Sequence, residues 1–362
     1  MKFKVLGLTL AAVAIGAAPQ AQTELPVRTQ FQMPETHGGM WAYAISPDAK
    51  TVAGATGIAE STSGGKKSVF GGEILLWDPA SGKIRKSLGK HAKTPTWMMF
   101  SRDGKTLASL SKDDGEFRLW DLASGKLAQT IKLGSDLKSE SATIAFDGRT
   151  LATVEEKSIP AGKEGESYLF PGALTVRDPK TGKTLWKLDD SGVVVLGLSP
   201  DGKSLIAFVQ KQVMDSGKPK ILDRAIRLWD AQTGKDLKTL DRGELGYAGQ
   251  IGYLPDGKAI YAFHHGELYR WDAQEGTPLP VLSLGSNNAA TLAFSPDGRT
   301  LGVVYFMGET LEVRDLQANK KLAEVSLAFP DGFGHPVFSN DLRLLACTRK
   351  HDPALLNVPG VK

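Results

Sequence analysis

The chain has 362 residues, with 44 lysines and arginines against 40 aspartates and glutamates and one cysteine. The near-even charge balance demands neither nucleic acid nor a membrane surface as partner, and one cysteine excludes an internal disulfide framework. The length exceeds an ordinary single core and favours a repeat architecture whose units bury one another's faces.

Met1 to about Ala21 reads as a signal peptide, residues 1–21. Lys2 and Lys4 form a positive start, Val5 to Ala18 is an uncharged apolar run, and small residues follow. An uncleaved anchor is the alternative. The mature chain, 22–362, is then expected to be secreted or periplasmic, with 42 basic residues against 40 acidic. No later stretch reaches the length of a membrane span. Cys347, in the apolar run LLACT, is expected to pack as a small buried hydrophobe.

After Leu25–Phe31, itself strand-like, comes a series of short strands and tight turns. The clearest unit is His91–Leu133, read as TWMMF, TLASLS, FRLWD and KLAQTIKL, separated by Asp103-Gly104, Asp113-Asp114-Gly115 and Ser124-Gly125. Such turns suit glycine, which takes φ > 0 freely, and aspartate, which bonds its own backbone. The first turn of the unit recurs at Asp48-Ala49, Asp103-Gly104, Asp147-Gly148, Asp201-Gly202, Asp256-Gly257, Asp297-Gly298 and Asp341-Leu342. The third strand ends at Trp77-Asp78, Trp120-Asp121, Arg177-Asp178, Trp229-Asp230, Trp271-Asp272, Arg314-Asp315 and, weakly, Leu356-Asn357.

This unit resembles a WD40 repeat, one four-stranded propeller blade every 40–45 residues or so. The resemblance spans about residues 25 to 358. It implies an all-β, seven-bladed β-propeller with four antiparallel strands per blade. It also implies that His91, Ser109, Trp120 and one aspartate, Asp113 or its neighbour Asp114, form the family's structural hydrogen-bond tetrad. The tetrad is nearly complete only in the second unit, so face-to-face packing is expected to hold the ring elsewhere. The family's usual role implies a scaffold for a protein or peptide partner, here taken as a monomer.

The seventh unit runs out of chain after LLNV. Leu25–Phe31 resembles KIRKSL and KLAQTI in length and pattern, and is expected to close the last blade and remove an open edge. A plain linker is the alternative.

Blade topology puts the links between blades and the second-to-third-strand turns on one rim, the top. From the Asp-Gly aspartate to the end of the third strand, the second, fifth and sixth units take 18, 16 and 18 residues, whereas the first, third and fourth take 30, 31 and 29. The excess falls in loops 57–72, 155–172 and 210–224. Loops on a rigid scaffold often carry function, although surface insertions also accumulate at little cost. Phe70, Tyr168 and Phe170 are the expected aromatic anchors for a partner. Trp41, Trp97, Gln250, Asn288 and His335 begin first strands and are expected to line the channel mouth. A small-ligand or enzymatic site at that mouth is the alternative function.

Other motifs carry no chemistry. Gly197–Ser204 fits a phosphate-binding P-loop, but a strand follows where the mechanism needs a helix. Asp178–Trp186 resembles a repeat of quinone-cofactor propeller dehydrogenases in one unit only. The histidines sit about a blade apart, which argues against a shared metal. No catalytic residue, metal or cofactor is therefore assigned.

Overall fold

The computed structural model describes residues 27–35, 37–63, 66–133, 143–160, 167–189, 191–216, 218–240, 248–285, 289–305, 310–327, 336–349 and 352–361. The proposed signal peptide lies outside the described residues.

The strands form seven four-stranded antiparallel sheets arranged as a seven-bladed propeller. β1 (Val27–Gln30) stands apart from the sheets nearest it in sequence. Blade one is β2 (His37–Ile45), β3 (Val52–Ser63), β4 (Lys66–Trp77) and β5 (Ile84–His91). Blade two is β6 (Trp97–Phe100), β7 (Thr106–Ser111), β8 (Glu116–Asp121) and β9 (Lys126–Lys132). Blade three is β10 (Ile144–Phe146), β11 (Leu151–Pro160), β12 (Ser167–Arg177) and β13 (Thr184–Leu188). Blade four is β14 (Val193–Leu198), β15 (Ser204–Asp215), β16 (Lys218–Asp230) and β17 (Asp236–Leu240). Blade five is β18 (Gln250–Tyr253), β19 (Ala259–His264), β20 (Glu267–Asp272) and β21 (Pro278–Ser283). Blade six is β22 (Ala289–Phe294), β23 (Thr300–Tyr305), β24 (Thr310–Asp315) and β25 (Lys320–Ser326). Blade seven combines β26 (Val337–Phe338), β27 (Leu344–Arg349) and β28 (Asp352–Asn357) with β1.

The core lies between blades. Seven apolar clusters fill the seven junctions, each drawing residues from two neighbouring sheets. One register position recurs in every second strand: Val52, Leu107, Leu151, Leu205, Ile260, Leu301 and Leu345 are all fully buried. Each pairs with the third-strand position held by tryptophan, arginine or leucine. Burying one such side chain stabilises by about 1.5–3 kcal/mol, so the packing is shared evenly around the ring. Cys347 is buried in the junction between blades six and seven.

The bottom turns owe their shape to a repeated polar bond. The hydroxyls of Ser46, Ser101, Ser199, Ser295 and Ser339 donate to the aspartate two residues on, at 2.5–2.7 Å. Asp78, Asp121, Asp178, Asp230, Asp272 and Asp315 accept backbone N–H groups in the turns that follow them. These aspartates are turn formers, as the Asp-Gly spacing implies. The turns also pack blade on blade. A Cβ added at Gly202 (φ +72°) would stand 2.5 Å from Oδ2 of Asp147 in the preceding blade. Ala49 and Leu342 hold the glycine position in blades one and seven, at φ 56° and 60°. Leu342 does so fully buried.

Closure follows the expected route. β1 pairs antiparallel with β28, through Val27↔Leu356, Thr29↔Leu355 and Gln30↔Ala354. Phe31 N–H donates to the Pro353 carbonyl at 3.0 Å, and the Phe31 ring packs 5.8 Å from that of Trp77. Trp77 Nε1 donates to the Gln32 carbonyl. Residues 27–32 thus tie blade seven to blade one.

Candidate functional site

In blade two, Trp120 Nε1–H donates to Ser109 Oγ at 2.8 Å, and Ser109 Oγ lies 2.8 Å from His91 Nε2. An indole can only donate, so the serine accepts from it, and its second lone pair and its own proton are both open to the bond with Nε2. His91 Nδ1 faces Asp114 Oδ2 at 3.7 Å, beyond hydrogen-bond reach. The aspartate facing His91 is Asp114; Asp113 is exposed on the turn. Asp114 is held inward by the N–H groups of Glu116 and Lys93. Burial lowers the His91 pKa to about 4, with Arg118 adding to the effect and Glu116 opposing it. His91 also ends β5, paired with Gly72, rather than standing in a link.

Blade three repeats the geometry with other atoms. Thr153 occupies the Ser109 register, and Arg177 replaces the tryptophan. Its guanidinium donates to the Thr153 hydroxyl at 2.8 Å. In blade one the same register holds Gly54, whose space is filled by Met40 and the Trp77 ring. These networks hold strands together and expose no reacting group.

The top rim differs from the sequence-based expectation in form. The described residues of segments 57–72, 155–172 and 210–224, expected as loops, are in large part continuations of strands. β3–β4 stay paired to Ser63↔Lys66, β11–β12 to Pro160↔Ser167 and β15–β16 to Asp215↔Lys218. Backbone groups that a loop would leave to water are paired across each hairpin. The result is three two-stranded ribbons rising from blades one, three and four. Phe70, Tyr168 and Phe170 sit on two of these ribbons; their side chains lie outside the described residues.

Of the expected channel residues, Asn288 and His335 lie outside the described residues. Trp97 is partly buried, with its ring 6.4 Å from Phe117. Gln250 begins β18 opposite Phe263 and is half-buried. Trp41 is 52% exposed. It is the unpaired residue of a bulge on β2, between Met40↔Thr56 and Ala42↔Ala55. Bulges re-aim side chains and recur beside functional sites. β14 and β22 bulge at the same register, at Val194 and Ala290. Spacing alone does not reveal these bulges, because they show only in the pairing. At the opposite end, Arg102 reaches from blade two to the Ser199 carbonyl of blade four, at 2.6 Å, and straps the bottom turns.

Three further polar groupings stand apart. His37 bonds Glu73 at 2.7 Å and Ser87 bonds the other oxygen of that carboxylate; burial opposes these bonds, which nevertheless hold Glu73 below the usual range. Neither nucleophile nor base is paired for catalysis there, since both partners bond the acid. In blade six the buried Glu312 takes Arg314, Lys321 and Tyr305. A groove of about 480 Å³ lies on the bottom between blades four and five, walled by Pro200, Leu237 and Tyr253 with Asp201, Asp256 and Lys238.

No family model matches the chain, and no curated protein matches it. Among solved structures it is similar to Kuenenia stuttgartiensis hydrazine synthase, with a TM-score of 0.59 and 16% identity over 95% of this chain and 100% of that one. At that identity the likeness is one of fold, and it agrees with the propeller. Among the described residues, no helix is long and apolar enough to cross a membrane.

Proposed function

We propose that this propeller is an exported, WD40-like scaffold that binds a protein or peptide partner across its top rim. The observation that carries the reading is the grouping of three extended ribbons, from blades one, three and four, on a face where blades two and five make tight turns. A rigid ring supports them, and rigid support for projecting elements is the usual arrangement of a recognition surface. Trp41 adds an exposed aromatic on the innermost strand, the residue type that dominates binding energy at interfaces. The hydrogen bonds joining His91, Ser109 and Trp120, with Asp114 facing His91, support the WD40 part of the reading. The apolar run at the N-terminus supports export.

The test is a capture experiment from an extracellular or periplasmic fraction, with native chain and a variant whose three ribbons are cut back to tight turns. Circular dichroism confirms folding of both. A partner held by the native chain and lost from the variant supports the platform. A partner held equally by both overturns it. N-terminal sequencing of the exported protein tests removal of residues 1–21.

A second reading, a small-ligand site in the upper channel, is favoured by the Trp41 bulge alone. Quenching of Trp41 fluorescence in a metabolite screen, absent in Trp41→Phe, separates it from the platform.

A further inference from the structure

We infer that the blade-four ribbon binds an extended acidic segment of a partner chain by strand addition along the outer edge of Lys211–Asp215. The inference rests on the rim-platform reading and names the edge and the chemistry of the occupant.

The pairing pattern leaves this edge open. β14 pairs with β15 only as far as Val193↔Val209, and Gln210 N–H is taken by the Gly192 carbonyl. β17 pairs with β16 only from Ile226↔Leu240 onward. Between them β15 and β16 pair on, from Gln210↔Arg224 to Asp215↔Lys218. Among the described residues no strand pairs with the outer side of either arm. An open edge offers alternating N–H and C=O groups that an extended peptide can match. The two edges are not equivalent. Pro219 interrupts the β16 side by removing a donor, whereas Lys211–Asp215 contains no proline.

The side chains define what fits. Gln212, Met214, Pro219 and Ile221 share one face of the ribbon, and Lys211, Val213, Asp215, Lys218 and Lys220 share the other, with Asp223 opposite Lys211. The register shift after Lys211 leaves Leu222 without a cross-strand partner and 52% exposed; Val213 and Ile221 are 40% and 43% exposed. Over 210–224 four basic side chains face two acidic ones, and Asp215 is engaged by Lys220 at 3.2 Å. Lysines on an edge repel a second copy of the same edge. The same charge attracts a strand bearing acidic residues on one face, with apolar residues on the other to cover Met214 and Ile221.

The probe is an octapeptide of alternating valine and glutamate, titrated by fluorescence anisotropy into the full chain at low salt, with amide hydrogen exchange followed on the ribbon. Expected is binding that slows exchange in Lys211–Asp215. It should weaken by about tenfold or more when alternate peptide nitrogens are methylated, when lysine replaces glutamate, or in Lys211→Glu/Lys218→Glu. Unchanged binding of the methylated peptide, or no binding of the parent peptide, overturns strand addition. In the capture experiment, a partner retained when only the blade-four ribbon is shortened, but lost when blades one and three are shortened, overturns this inference and leaves the rim platform standing. Retention by the triple variant overturns the platform itself.

Discussion

The Arg177 guanidinium donates to the Thr153 hydroxyl at 2.8 Å, in the register where Trp120 donates to Ser109. One donor has replaced another across the same strand pair, and the buried hydroxyl has kept a partner. Losing the tryptophan therefore does not break blade three, because a buried hydroxyl needs a donor and not a particular ring.

Ser109→Ala removes the acceptor of Trp120 and the partner of His91 together. Leaving those buried groups unpaired costs about 1–3 kcal/mol, read as a lower urea midpoint with an unchanged slope. Thr153→Val should cost less, since the Arg177 guanidinium loses its hydroxyl acceptor but keeps Glu155 at 4.0 Å.

His91 makes stability pH-dependent. Its folded pKa is about 4, against an ordinary histidine value of 6.5. As pH falls from 6.5 towards 4, the unfolded chain takes up a proton that the buried imidazole refuses. Stability is complete above 6.5, falls across that window by roughly 3 kcal/mol and then levels off for this group. Urea midpoints at pH 7.5 and 4.5 should converge in His91→Gln. A separate loss begins near pH 4. Asp48, Asp103, Asp201 and Asp297 sit below the usual range because of their serine bonds. Asp78 lies at about 2, held by the Ser81 N–H and by Arg85. These contributions are present above the unfolded pKa and vanish as pH drops through the folded values.

Ala49 and Leu342 should respond oppositely to glycine. Ala49→Gly relieves a left-handed backbone and is expected to stabilise by about 0.5–1 kcal/mol. Leu342→Gly relieves the same strain but empties a fully buried site, with a net loss of about 1–3 kcal/mol. Thermal melts of the two variants check the sign.

A chain beginning at Met33 lacks β1 and leaves β28 with an open edge. It is expected to melt at least about 5 °C lower and to self-associate in size-exclusion chromatography, as exposed edges do.

Blade number, turn positions and the closing strand were legible because each has a local signature. Asp-Gly needs no distant partner to be recognised, and Leu25–Phe31 repeats the pattern of KIRKSL. The ribbons were not. Their serine, glycine and lysine content reads as loop, and only the facing arm shows that the backbone stays paired. The choice between Asp113 and Asp114 was equally closed to the sequence, because adjacent residues in a turn differ only in which one points at His91. The exposure of Trp41 depends on a bulge, a property of two strands together.

The pairing of Thr29 with Leu355 has a consequence for biogenesis. The seventh sheet joins residues more than 300 positions apart, so loop-closure entropy falls due in one late step. A nascent chain emerging from the ribosome holds an incomplete arc until β28 is made. Six sheets are free to assemble as they appear, but the circle locks only when the last strand arrives. The ring thereby stays an open arc until β28 is made and closes on β1 in a single step.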